Sequence, residues 1–296
     1  MRIFVTGATG FIGSATVAEL LKAGHQVLGL ARSEAAAQAL AAVGAQAHRG
    51  SLEDLESLKK GTAASDGVIH TGFIHDFSKF KENCAIDQRA IEAMGSVLAG
   101  TKKPFLITSG VALISPGRLA TEEMPPPANH PFPRVSEETG ALAAAKGVDV
   151  RMVRFSPSVH GDGDHGFVPM LIAMAKEKGV SAYIGEGKNR WPAVHLLDAG
   201  SLFRLALEKG LAGARYHGVE EEGIPFKDIA EAIGKGLGLP VVSLTPEKAA
   251  GHFGWFTAFA GIDCPASSQL TQESLGWRPT HTTLLADLEK GSYFKN

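Results

Sequence analysis

Apolar residues recur along the first half of the chain in two alternating periods. Ile3, Phe4 and Val5 form the short continuous run of a strand buried on both faces, and Ile12, Val17, Leu20 and Leu21 then fall at helical spacing until Gly24 stops them. Further strand runs are expected at Gln26 to Leu30, Ala45 to His48, Gly67 to His70, Pro104 to Thr108 and Val150 to Phe155. Helical stretches are expected between them at Glu34 to Val43, Leu52 to Lys60, Glu82 to Ala99 and Ser136 to Lys146. This alternation predicts an α/β fold, a doubly wound parallel sheet with helices on both faces joined by right-handed crossovers. Near Phe155 the alternation breaks into a loop rich in Pro157, Gly161, Gly163, Gly166 and Pro169.

Residues 1–155 are therefore expected as one domain and 156–296 mainly as a smaller carboxyl-terminal substrate lobe. Val194 to Leu197 and Arg215 to Val219 are expected to return to the main sheet, with a helix from Asp198 to Glu208 between them. From about Pro225 the pattern is helix-rich with one short strand at Val241 to Leu244. The chain contains no internal repeat and no low-complexity linker, so the two lobes should pack together.

The first strand runs straight into glycines at 7, 10 and 13. Gly7 lets the chain leave the strand in a tight turn, Gly10 admits a pyrophosphate close to the backbone, and Gly13 lets the helix pack on the sheet. The free amides and positive end of that helix suit phosphate, so the turn predicts a dinucleotide site on a Rossmann fold. The alternative is a glycine-rich turn without a ligand; strand, turn and helix in succession favour the ligand.

Composition narrows the partners. With 296 residues, 29 basic against 31 acidic side chains and a net charge of -2, nothing favours nucleic acid or an anionic membrane, and a small-molecule substrate is expected. Cys84 and Cys264 stand far apart without metal-ligand spacing, and no H-E-x-x-H is present, so reduced, buried thiols and no metal are expected. The first residues are already strand, leaving no room for a signal peptide, and no apolar stretch is long enough to span a bilayer; a cytoplasmic location follows as an expectation.

Thr6 to Gly13 fits TGxxGxxG letter for letter, and with it the chain resembles the extended and atypical short-chain dehydrogenases/reductases, the NAD(P)-dependent epimerase/dehydratase-like group. Ser51 to Leu58 looks like that family's segment after the third strand, Val68 to Gly72 like its fourth strand, Arg154 to Gly161 like its stretch after the sixth, and Val194 to Ala199 like its VHxxDxA segment. The resemblance implies cofactor contacts from Gly7, Thr9, Gly10, Phe11, Ile12 and Gly13, from Ser51 and Leu52, and from His70, Thr71, Gly72 and Phe73. NAD-preferring relatives carry an acid after the second strand; here Arg32 and Ser33 stand there. A guanidinium fork and a hydroxyl suit a 2′-phosphate, so NADP is expected over NAD, the alternative being a solvated Arg32 with Ser33 as a helix cap. Ser51 has two readings as well, an adenine-side contact or an N-cap with Asp54 in the box position.

The family's usual YxxxK pair is absent. The three tyrosines, Tyr183, Tyr216 and Tyr293, are followed four residues later by Gly187, Glu220 and the end of the chain. About twenty residues beyond Ser109, where the pair belongs, stands His130-Pro-Phe-Pro-Arg134, and the chain resembles an atypical subgroup with HxxxR there. An imidazole titrates near neutrality and a neighbouring guanidinium favours its neutral form, so His130 is the candidate acid/base, Arg134 its partner or a ribose contact, and Ser109 the residue that orients a carbonyl. Pro133 works against helix at Phe132: on a helix the pair lies about 6 Å apart, on an extended chain about 13 Å.

The expected function is an NADP-dependent oxidoreductase of carbonyl reductase type. The alternatives are a non-catalytic NADP-binding sensor and an NAD(P)-dependent epimerase or isomerase. Phe253, Trp255, Phe256 and Phe259 are either pocket lining, core or subunit contact, and the resemblance allows a homodimer that no residue fixes.

Overall fold

The computed structural model describes residues 1–114, 116–127 and 133–295. Strands β1 (Arg2–Thr6), β2 (Gln26–Ala31), β3 (Gln46–Arg49), β4 (Gly67–His70), β5 (Pro104–Gly110) and β6 (Asp149–Phe155) alternate with helices α1 (Phe11–Lys22), α2 (Glu34–Ala42), α3 (Leu55–Ala63), α4 (Phe80–Leu98) and α5 (Ser136–Ala144). The remainder is β7 (Ser158–His160), α6 (Phe167–Lys178), β8 (Ser181–Ile184), β9 (Arg190–His195), α7 (Leu196–Lys209), β10 (Arg215–Gly218), β11 (Glu221–Pro225), α8 (Phe226–Leu237), β12 (Val241–Leu244), α9 (Pro246–Phe253), α10 (Thr257–Ala260), α11 (Gln269–Leu275) and α12 (Leu284–Glu289).

Seven strands form one parallel sheet in the order β10-β6-β5-β4-β1-β2-β3. From β1 the chain winds outward through β2 and β3, then crosses back to β4 and winds the other way. The reversal opens a crevice beyond the carboxyl ends of β1 and β4, where open α/β sheets bind their ligands. Alternation within β1 sorts its side chains between the two cores. Ile3 and Val5 join Val17, Leu20, Leu202 and Phe203 on the α1/α7 face, whereas Phe4 joins Leu58, Ile91, Met94 and Phe105 on the α3/α4 face.

The second lobe has its own core around Trp191, Phe226, Phe253 and Phe256, all buried. It is built on a three-stranded sheet, β11-β9-β7, and a parallel pair, β12-β8. The segment expected to return to the main sheet at Val194 to Leu197 does not do so: β9 pairs with β7 and β11, and only β10 adds to the main sheet beside β6. The reason is the partner available, since β7 leaves β6 after Pro157 and offers β9 a free edge. Helix α3 also starts three residues later than its apolar pattern implied, because Asp54 and not Ser51 caps it, accepting the Ser57 amide at 3.0 Å. Both cysteines are buried and unpaired. Among the described residues no helix is long and apolar enough to cross a membrane.

Candidate functional site

The glycine turn is held closed by its own backbone. Gly7 has φ +65°, a left-handed conformation, and its carbonyl accepts the Gly10 amide at 2.8 Å. A Cβ on Gly13 would lie 1.9 Å from the Gly7 oxygen, and one on Gly7 would lie 2.8 Å from Gly72 Cα. The turn, α1 and the β4 extension therefore touch backbone to backbone. Gly10 precedes α1 with no side chain capping it and no acid in the first turn, so the helix amides face outward uncompensated. Thr9 and Gly10 are exposed, with Phe11 and Ile12 half-buried behind them. This cradle fits a dinucleotide pyrophosphate.

Beneath the turn runs a buried chain of polar contacts. Thr6 Oγ1 accepts the Gly72 amide at 3.1 Å and lies 2.7 Å from His70 Nδ1. The hydroxyl's single proton then belongs to Nδ1, which assigns the ring proton to Nε2, 3.0 Å from Asp87 Oδ1. The other Asp87 oxygen accepts the Ser136 hydroxyl at 2.6 Å, and Ser136 Oγ accepts Arg134 Nε at 3.0 Å. Arg134 Nη2 donates to the Thr108 carbonyl at 3.1 Å, and its guanidinium carbon sits 4.6 Å from the centre of the Phe73 ring. Burial alone would raise the Asp87 carboxyl. The His70 hydrogen bond and the Arg134 charge outweigh it and hold Asp87 below the ordinary carboxylate range.

His70, expected to line the groove, thus lies under it with 1% of its surface exposed, both ring nitrogens engaged. Thr71, Gly72 and Phe73 lie above. Thr71 Oγ1 donates to the Thr6 carbonyl at 2.8 Å, and a Cβ on Gly72 would meet Leu52 at 3.1 Å, which puts Leu52 at the same wall. Ser51 instead accepts the Glu53 amide at 3.3 Å. Ser33 caps α2 through the Ala36 amide at 3.2 Å, while Arg32 beside it is exposed and makes no ion pair among the described residues. Ser109 is the penultimate residue of β5, adjacent to the Thr108 carbonyl that Arg134 binds. His130 lies outside the described residues.

The tyrosines are committed elsewhere. Tyr216 accepts the Leu211 amide, Tyr293 donates to Asp164 and accepts from Gly161, and Tyr183 lies under Lys227. Three histidines expected in loops near the substrate have separate fates. His160 is buried against Asp287 at 2.8 Å, and His195 caps α7 through the Leu197 amide. His165 sits edge-on to Phe11, ring centres 5.6 Å apart, beside the glycine turn. His195, Asp198 and His281 bring ligand-type atoms within 4.8 Å of one another, a grouping that sequence spacing could not show. Asp198 is already used there, accepting the amides of Thr280 and His281 and the His281 ring.

The aromatic residues near the carboxyl end divide cleanly. Phe253 and Phe256 are core, with 2% and 0% exposed, whereas Trp255 is 52% exposed. Phe77, from the connection after β4, stacks on Trp255 with centroids 4.7 Å apart and planes at 21°. Phe167 and Phe259 complete the contact between the lobes.

The NAD dependent epimerase/dehydratase family model matches residues 3–218. The chain belongs to this family. Its members are enzymes that work with a nicotinamide dinucleotide, and the cradle above lies inside the matched region. An uncharacterised protein of Schizosaccharomyces pombe is 56% identical over 298 residues, covering 99% of this chain and 100% of the relative. A 4-hydroxy-2-methyl-3-oxo-4-farnesyl-3,4-dihydroquinoline-1-oxide ketoreductase of Stigmatella aurantiaca is 29% identical over 227 residues, 73% of this chain and 67% of the relative. The dTDP-glucose 4,6-dehydratase of Streptomyces venezuelae, solved with NAD bound, superposes with a TM-score of 0.75 at 21% identity, over 99% of this chain and 96% of that one. At that identity the likeness is one of fold.

Proposed function

We propose that the protein is an NADP(H)-dependent reductase of a carbonyl group on a small organic substrate. The observation that carries this reading is the place of Arg134. A guanidinium held by Ser136, Thr108 and the Phe73 face stands at the carboxyl end of β5, next to Ser109, where a carbonyl oxygen would develop negative charge. The similarity to a ketoreductase supports it.

The glycine cradle would hold the pyrophosphate, and Arg32 with the outward hydroxyl of Ser33 would take a 2′-phosphate. When bound, the reduced dinucleotide supplies a hydride to the carbonyl carbon. Ser109 donates a hydrogen bond to the oxygen and fixes its direction. His130 gives that oxygen the proton that completes the alcohol, and Arg134 stabilises the charge that builds on it. The chain from Asp87 through Ser136 keeps the Arg134 fork from swinging away.

Purified protein with NADPH and a panel of ketones tests this directly. Turnover should consume NADPH and form alcohol in equal amounts, and Arg134→Ala should lower kcat about a hundredfold with dinucleotide affinity held within a few fold. Dinucleotide binding without turnover of any carbonyl would favour the sensor reading. A substrate isomerised with tightly held dinucleotide unconsumed would favour the epimerase reading.

A further inference from the structure

The aromatic side chains that bridge the lobes are not buried as a clasp would be. Trp255 lies between two core residues, Phe253 and Phe256, yet turns outward with 52% of its surface exposed. Phe77 reaches it from the other lobe, and Phe73 and Phe77 are themselves only half-buried. At one end the wall continues to Arg134, whose guanidinium covers Phe73. Its links run from Phe73 to Phe80 at 6.2 Å, to Phe77 at 5.7 Å and on to Trp255. The wall is thus polar at the end beside Ser109 and apolar along its length.

We infer that the substrate is a carbonyl compound built on a flat aromatic or conjugated ring, its oxygen toward Ser109 and Arg134 and its ring against Phe73, Phe77 and Trp255. The carbonyl in this statement rests on the reductase reading; the ring rests on the wall alone. Ring faces and edges spaced 4.7 to 6.2 Å apart offer a further ring the offset and edge-on contacts that aromatic pairs favour, and offer a saturated ring only its area. A sugar nucleotide would instead need cations for its diphosphate. Arg134 is held by Ser136 and Thr108, and Arg190 of the second lobe is locked to Asp263 by two bonds of 2.9 Å.

The test is equilibrium dialysis of 2-acetylnaphthalene, its fully saturated decahydro counterpart and UDP-glucose against the NADP⁺-loaded protein, with NADPH oxidation followed separately. The naphthyl ketone should bind about tenfold tighter than the saturated one. Trp255→Leu, which keeps apolar bulk, should erase that difference, Trp255→Phe should restore most of it, and neither should change NADP⁺ affinity. Equal binding of the two ketones to the wild-type protein, or saturable binding of UDP-glucose without the naphthyl ketone, overturns the inference. Ring-selective binding without NADPH oxidation leaves the ring site standing and removes the reductase reading. Reduction of both ketones with equal KM does the reverse.

Discussion

His70 and Asp87 meet 3.0 Å apart beneath the dinucleotide crevice, one at the end of β4 and the other in the middle of α4, with 1% and 2% of their surfaces exposed. The pair joins the glycine turn, through Thr6, to Arg134, through Ser136. A shift in either strand end is therefore felt at both the phosphate cradle and the candidate catalytic end.

Asp87→Asn should cost about 3 kcal/mol, the scale for breaking one side of a buried pair. The folded protein holds the Asp87 carboxyl below its unfolded value, so its stabilisation is complete above the ordinary carboxylate range and disappears as pH falls through the depressed folded value. Urea midpoints measured from neutral pH downward should show the wild type losing its advantage over the variant in acid. A constant difference at every pH would contradict the ionised assignment.

Gly13→Ala and Gly10→Ala should separate packing from ligand contact. The Gly13 methyl would sit 1.9 Å from the Gly7 oxygen, an overlap that should cost about 1–3 kcal/mol and abolish dinucleotide binding. The Gly10 methyl meets only that oxygen, at 3.1 Å, and otherwise points where a phosphate would come. Gly10→Ala should melt close to the wild type and yet bind dinucleotide at least about tenfold more weakly. Unchanged binding in Gly10→Ala would remove the phosphate from this turn.

Arg32→Ala reports on the 2′-phosphate. The loss of one charge-assisted contact should raise the NADPH dissociation constant about tenfold or more and leave NADH unaffected. Equal changes for the two cofactors would show Arg32 to be an ordinary exposed side chain.

Much of this architecture is legible in the residues because local and global signals coincide there. In β1 the period-two sorting of Ile3, Phe4 and Val5 and the three glycines dictate both strand and turn. Ser51 and Asp54 are both able to cap a helix, and the burial of Ser57, Leu58 and Thr62 decided for Asp54. The destination of Val194 depended on an edge created by β7, 34 residues away from Ser158 only through the folded chain's pairing of 158 with 193 and its neighbours. Asp87 did leave a trace: it lies in the buried stripe with Asn83, Ala90, Ile91 and Met94, where a lone acid requires partners. Its partners His70 and Ser136 are brought there by three different elements, so no spacing announces them.

Glu220 provides a prediction away from the crevice. Burial, with Asp198 and Glu221 nearby, pushes its carboxyl up to about 7. Between the unfolded carboxylate value and that point the folded state retains a proton that the unfolded chain releases, so this group lowers stability as pH rises through the window. Glu220→Gln should match the wild type at pH 5 and melt about 3 °C higher at pH 8. A variant that melts lower at pH 8 would show that the carboxylate is compensated there.

The most direct measurement is the fate of the transferred hydrogen. NADPH deuterated at the nicotinamide C4, incubated with the protein and an aryl ketone, should give an alcohol carrying one deuterium on the former carbonyl carbon, with an equal amount of NADP⁺ formed. Product without deuterium, or a substrate isomer with the labelled dinucleotide intact, would contradict carbonyl reduction at this site.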